Sequence, residues 1–237
     1  MERRVPAWVP LGPLYLSIHG PHTDHVNPRA PRTYTPRGYL RYPGGMTRHD
    51  GLEQATQWYV VTGGPSSGKT TAVNLLRERG FATTIEHARH YIDLQRLHGR
   101  DASEVRTRQR DFQSGVVAMQ IAQERALDPE QTVFLDRALP DSLAYYRFLG
   151  LEPEPALIEA IGYARYAGVF VIDLLPLASD YARTEDVAAQ RRIHDLIGQV
   201  YRELPFPMVN VPTLAPEERV DFILERALSG GRTARGI

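Results

Sequence analysis

The chain has 237 residues, and its 28 Lys and Arg balance 28 Asp and Glu to a formal net charge of zero, which argues against a broad electrostatic footprint for nucleic acid or membrane. Cysteine is absent, so disulfides, thiolate metal sites and a cysteine nucleophile are excluded. The length and a 42% hydrophobic content suit one α/β domain with an extension, or two very small domains; no apolar run reaches membrane-span length and Met1–Pro6 lacks a signal-peptide core, so a soluble cytoplasmic protein is expected.

Residues 1–55 form a proline- and arginine-rich arm, with prolines at 6, 10, 13, 21, 28, 31, 36 and 43. Proline at that density blocks both helices and ladders, so the arm is expected to be irregular or disordered. Three readings stay open for it: a floppy extension, an upstream stretch before a true start at Met46, or a tail whose basic and aromatic residues touch RNA or a partner. Residues 56–237 are read as the folded domain.

Trp58-Tyr59-Val60-Val61-Thr62 is aromatic and β-branched, as a buried strand should be. Gly63-Gly64-Pro65-Ser66-Ser67-Gly68-Lys69-Thr70 follows, a Gly, four residues, then Gly-Lys-Thr, which is the phosphate-binding loop pattern. Gly63 and Gly68 let the backbone curl around an anion, so that N–H groups and the next helix's N-terminus face the β- and γ-phosphates. Gly63 through Thr71 are therefore candidate nucleotide-binding residues, Lys69 supplies the mobile charge, and the Thr70 hydroxyl is placed to ligand Mg²⁺. Lys69 is also the only lysine in the chain; a compact ammonium fits inside such a curl where a planar guanidinium does not. A helix over 71–79 then stops at Gly80.

Phe81–Ile85 reads as a second strand that delivers Glu86 and Arg89 to the sheet edge where α/β proteins bind ligands. Glu86 is a candidate general base or acceptor-hydroxyl contact, and Arg89 a substrate or phosphate contact; His87 and His90 are read as solvated. Asp101-Ala102-Ser103-Glu104 resembles a capping box opening a long helix, with Val105, Phe112, Val116, Met119 and Ile121 inward and Arg106, Arg108, Arg110 and Gln113 mostly solvated. Gln131–Asp136 is a strand ending in Asp136-Arg137. There Asp136 would hold Mg²⁺, directly or through water, or accept a proton from an acceptor hydroxyl, with Arg137 near the transferring phosphoryl group. A helix from Pro140 carries Leu143, Tyr145, Tyr146 and Phe148, read as core.

After a helix near 154–165, Gly168–Leu175 is a nearly continuous apolar run, as a central parallel strand should be. The segment 179–186 leads into a helix whose buried stripe is Ile193, Leu196, Ile197 and Val200. Arg183, Arg191 and Arg192 fall where phosphoryl-transfer enzymes carry a mobile arginine lid that neutralises charge building on the γ-phosphate. Phe206–Val211 is the last strand, and Pro216 opens a final helix ended by Gly230-Gly231. The 212–215 loop lies where the base rests in such folds.

Gly-Gly-Pro-Ser-Ser-Gly-Lys-Thr-Thr, Ile-Glu-His-Ala-Arg, Phe-Leu-Asp-Arg-Ala-Leu-Pro-Asp-Ser-Leu-Ala-Tyr-Tyr, Asp-Tyr-Ala-Arg-Thr-Glu and Glu-Glu-Arg-Val-Asp-Phe-Ile-Leu together resemble the NadR-type AAA domain. That is a kinase-like P-loop family that includes ribosylnicotinamide kinase. The resemblance covers about residues 57–229. It implies an α/β P-loop NTPase fold, a five-stranded parallel sheet flanked by helices, like nucleoside and nucleotide kinases. It also implies ATP or GTP with Mg²⁺ at Lys69, Thr70 and Asp136. Neither the arm nor a nucleotidylyltransferase domain belongs to the pattern, so a full bifunctional enzyme is not expected.

Two functions follow. One is a Mg²⁺-dependent kinase moving the γ-phosphoryl group of a nucleoside triphosphate to a small hydroxylated, nucleoside-like acceptor, with Lys69, Asp136, Arg137, Glu86 and Arg183 as catalytic candidates. The other is a nucleotide-dependent switch or binding module with water as acceptor. A Ras-class GTPase is disfavoured because a chain with its single lysine at 69 has no Asn-Lys-x-Asp motif. A ring-forming motor is disfavoured for want of room for a helical domain after the sheet. The acceptor and the oligomeric state are left open.

Overall fold

A computed structural model describes residues 55–97, 101–102, 105, 108–175 and 187–229. Residues 1–54 of the arm, Ser103 and Glu104 of the capping box, and the 179–186 segment with Arg183 lie outside the described residues.

Five parallel strands form one sheet in the order β2-β3-β1-β4-β5. They are β1 (Trp58–Thr62), β2 (Ala82–Thr83), β3 (Val133–Asp136), β4 (Gly168–Ile172) and β5 (Met208–Val211). The helices are α1 (Lys69–Glu78), α2 (His87–Leu97), α3 (Gln109–Ala126), α4 (Leu139–Leu149), α5 (Pro155–Tyr163), α6 (Val187–Arg202) and α7 (Pro216–Ser229). The sheet is the one the sequence resemblance implies.

Alternation along the strands sorts side chains between two cores. Val60, Leu135, Val169 and Val171 meet Ala144 of α4 and Ile193, Leu196, Ile197, Val200 and Tyr201 of α6. Their neighbours Val61, Phe134, Phe170 and Ile172 face the other way and meet Ala72, Val73 and Leu76 of α1 and Val220, Ile223 and Ala227 of α7. Both faces are covered, which is why the central strands read as continuous apolar runs.

Several expectations need correction. Strand β2, at one edge of the sheet among the described residues, is two residues long, not five. The residues after Glu86 form helix α2, in keeping with a helical reading of Glu86 and Arg89, and its Tyr91 and Ile92 pack with Val105 and with Phe112 of α3. That packing buries His87, whose Nε2 lies 2.6 Å from the Gln123 amide oxygen; it is not a solvated side chain. Gln113 is likewise buried. It begins an inward stripe on α3 that continues through Val116, Val117, Gln120 and Glu124. Polar residues occupy it because Gln120 and Glu124 face partners inside, Ser142 and Tyr166.

Candidate active site

Register places the site. Val61 lies opposite Asp136 across β1 and β3, so the phosphate loop leaves β1 beside the carboxyl end of β3. The chain runs from β1 to one side of the sheet and then to the other, and ligands gather at such a switch point.

The loop curls as the glycine pattern requires. Gly63 has φ 140°, and a Cβ there would meet the Ile172 carbonyl oxygen at 2.5 Å. Gly68 caps α1 in the left-handed region at φ 83°, with no side-chain cap. The first-turn N–H groups of α1 therefore stay available to an anion. Thr70 and Thr71 are exposed at this end, and Lys69 is buried. Its Nζ donates to the Gly64 carbonyl at 2.7 Å and the Ser67 hydroxyl at 3.2 Å. Burial lowers its basicity to about 7; nearby Arg137 adds to that, and Glu86, Asp136 and Asp141 oppose it.

Asp136 is 2% exposed. The Thr84 hydroxyl accepts its backbone N–H at 2.9 Å. Burial and the charge of Glu86 raise its carboxyl to about 6, against Arg137, Lys69 and a hydrogen bond from Thr70. One carboxylate oxygen, Oδ1, is buried without a hydrogen-bond partner among the described residues. A carboxylate with an open oxygen beside a threonine hydroxyl suits Mg²⁺, which takes few protein ligands and completes its shell with water and phosphate oxygens. Among the described residues no three His, Asp or Glu side chains converge as a dedicated metal cage, so such an ion would rest on Thr70 and Asp136 together with phosphate.

Arg137 sits in the left-handed region at φ 70° and turns its guanidinium back across the loop. Nε is 3.4 Å from Glu86 Oε1, Nη1 is 3.5 Å from Asp141 Oδ1, and Nη1 donates to the Gly63 carbonyl at 3.5 Å. The Tyr145 ring lies 5.6 Å from it. Glu86 also pairs with Arg89 at 3.7 Å. Lys69, Thr70, Glu86, Asp136 and Arg137 are thus brought together, with Arg89 at the margin. Arg191 and Arg192 are exposed on α6, away from its buried stripe.

The sequence reading missed four supporting residues. Asp141, buried, accepts from the Thr62 hydroxyl, from the Ala138 N–H at 3.1 Å and from the Tyr201 hydroxyl at 2.7 Å. Arg219, buried on α7, donates to the Ser67 carbonyl at 3.4 Å and the Leu214 carbonyl at 2.9 Å, joining the phosphate loop to the 212–215 loop. Its Glu-Glu-Arg-Val stretch was visible as a motif without a role. Gln190 and His194 of α6 also reach the loop: Gln190 Nε2 donates to the Pro65 carbonyl at 2.9 Å, and the Gly64 N–H donates to His194 Nδ1 at 3.2 Å. Their i,i+4 spacing was a usable signal, but nothing local showed what that face meets.

The AAA domain family matches residues 58–219. A solved structure of NadR protein in complex with NR is 21% identical, with a TM-score of 0.55 over 72% of this chain and 49% of that chain. A second NadR structure, in complex with NAD and AMP-PNP, is also 21% identical, with a TM-score of 0.53 over 73% of this chain and 49% of that one. This chain therefore spans about half the length of the NadR chains it matches. The likeness establishes a shared P-loop kinase-like fold. Among the curated proteins compared, none matches. The family match spans more than half of the chain, from β1 through the loop and site to the start of α7, and by it this protein belongs to the AAA domain family.

Proposed function

We propose that this protein is a Mg²⁺-dependent kinase that moves the γ-phosphoryl group of ATP to a small hydroxylated, nucleoside-like acceptor. One observation carries the reading. The Glu86–Arg137 pair stands within electrostatic reach of Lys69 and Asp136, so acceptor-type and donor-type groups share one cluster.

Lys69 and the loop N–H groups bind the β- and γ-phosphates, and the exposed first turn of α1 receives the α-phosphate side. Mg²⁺, held by Thr70 and Asp136, supplies charge neutralisation on the phosphate oxygens when bound. Glu86 or Asp136 orients the acceptor hydroxyl and takes its proton as the oxygen attacks γ-phosphorus. The bond to the β–γ bridging oxygen breaks and ADP leaves. Arg137 and Arg183 neutralise charge spreading over the equatorial oxygens. Residues 56–237 form the catalytic unit.

The complexes of NadR with NR and with NAD and AMP-PNP support ATP as donor and a nucleoside as acceptor. The test is purified protein with Mg²⁺, ATP or GTP, and a nucleoside panel that includes ribosylnicotinamide, with ADP or GDP release followed. Turnover that depends on an acceptor is expected. Slow turnover indifferent to every acceptor, with tight nucleotide binding, would replace the kinase with a nucleotide-dependent switch.

A further inference from the structure

Helix α6 approaches the phosphate loop from the far side of the sheet and touches its leading edge at three places. The Gly64 N–H donates to His194 Nδ1 at 3.2 Å. Gln190 Nε2 donates to the Pro65 carbonyl at 2.9 Å and to the Leu175 carbonyl, beyond β4, at 3.1 Å. The Gly64 α-carbon lies so close to α6 that a Cβ would come within 2.8 Å of His194 Cβ and 3.0 Å of the Gln190 carbonyl oxygen. Glycine at 64 is thus needed for the close contact with α6.

The same residue carries the contact that aims the lysine. Gly64 donates its N–H to His194 and accepts Lys69 Nζ on its carbonyl at 2.7 Å. The Gly64 carbonyl lies in the 64–65 peptide plane, between the 63–64 plane held at its N–H by His194 and the 65–66 plane held at the Pro65 carbonyl by Gln190, so α6 pins the planes on both sides of the carbonyl that receives Lys69. His194 can accept only with Nδ1 unprotonated, which places the ring proton on Nε2. Burial favours that neutral ring, and Lys69 adds to the effect, against Asp195 and Asp173.

We propose that His194 and Gln190 are positioning residues that set the direction of the Lys69 ammonium by holding the Gly64–Pro65 edge of the phosphate loop. The proposal rests on the reading of that loop as a nucleoside triphosphate site. It assigns a specific task to the i,i+4 pair on α6, whose neighbours on the helix serve the core.

The experiment compares His194→Ala with His194→Asn, because an asparagine amide oxygen can take the place of Nδ1 as acceptor. AMP-PNP affinity is read by calorimetry, folding by thermal melting, and exchange of the Gly64 amide hydrogen by NMR without nucleotide. Gln190→Ala is the second variant, and it keeps the test open if His194→Ala does not fold. His194→Ala and Gln190→Ala are expected to weaken AMP-PNP binding roughly 3- to 10-fold, the reach of one lost buried hydrogen bond. His194→Asn is expected to stay within about 2-fold of wild type and to keep Gly64 protected from exchange, which His194→Ala loses. Unchanged affinity in both alanine variants overturns the proposal, as does His194→Asn binding as weakly as His194→Ala. A wild-type protein that does not bind AMP-PNP sinks the loop reading and this proposal together. Unchanged variants of a protein that binds sink this proposal alone.

Discussion

Tyr201 of α6 donates its hydroxyl hydrogen to Asp141 Oδ2 at 2.7 Å, and both side chains are buried. Asp141 also accepts from Thr62 at the end of β1 and from the N-cap N–H of Ala138, and its other oxygen lies 3.5 Å from Arg137. One carboxylate therefore ties β1, α4, α6 and the site arginine into a single unit. Tyr201→Phe would keep the ring and remove one donor from a buried charge. It is expected to destabilise the fold by about 1–2 kcal/mol, or roughly 3–6 °C in Tm. Urea unfolding of the two proteins checks this; equal midpoints and slopes would contradict it.

Lys69→Ala is expected to weaken ATP binding roughly 100-fold, the loss of charge-assisted hydrogen bonds to phosphate. The fold should survive, since the ammonium is buried at the expense of its hydration and its hydrogen bonds to the Gly64 carbonyl and the Ser67 hydroxyl both lie within the loop. Calorimetry and circular dichroism together decide it. Retained affinity in a folded variant would remove this loop from the nucleotide site.

Lys69 also makes nucleotide binding proton-linked. Burial depresses its basicity to about 7 in the free protein, and phosphate oxygens favour the charged form and raise it again. Above pH 7, binding must therefore draw a proton from solvent, and affinity falls as pH rises. Below about pH 7 the ammonium is already formed and the uptake fades. Calorimetry of AMP-PNP without Mg²⁺ at pH 8, in two buffers of different ionisation enthalpy, should show uptake approaching one proton, absent in Lys69→Ala. Proton release would reverse the assignment.

Glu124 is buried on α3, accepts the Tyr166 hydroxyl at 2.8 Å, and has its other oxygen without a partner among the described residues. Burial raises its carboxyl from 4.5 to about 7. A carboxyl whose folded pKa is raised lends stability below its unfolded pKa and loses it as pH climbs through the folded value. Stability from this group is therefore expected to drop between about pH 4.5 and 7. Glu124→Gln keeps an acceptor for Tyr166 without the charge. The variant should be more stable than wild type at pH 8 by an amount on the order of 1–3 kcal/mol, with the difference gone near pH 4. Denaturant melts at the two pH values measure it; a variant weaker at pH 8 would show that the carboxylate is better paired than its geometry indicates.

Deleting residues 1–45 should leave AMP-PNP affinity within about 2-fold of wild type, since the loop and, among the described residues, the groups around it lie beyond residue 55. Titration of the shortened protein is the check, and lost binding would bring the arm into the site.

Local chemistry carried much of this. Glycines at fixed spacing, the solitary Lys69 and an apolar strand before it specify a phosphate loop, because an anion cradle needs backbone freedom and a compact charge at set positions. The apolar runs of β1, β3 and β4 likewise announce strands covered on both faces, and Asp136 at the end of β3 follows from strand direction. By itself the sequence determined these elements, the family resemblance and the order of candidate groups along the chain. Only the tertiary structure decided which side chains meet. His87 and Gln113 look solvated beside their neighbours, yet helix packing buries both. Asp141, Gln190, His194 and Arg219 lie 78 to 156 residues beyond the start of the loop at Gly63 in sequence, and their hydrogen bonds form only once α4, α6 and α7 dock on the sheet. Contacts of that separation leave no local pattern, because a side chain's partner is set by packing of the whole sheet and not by its neighbours in the chain.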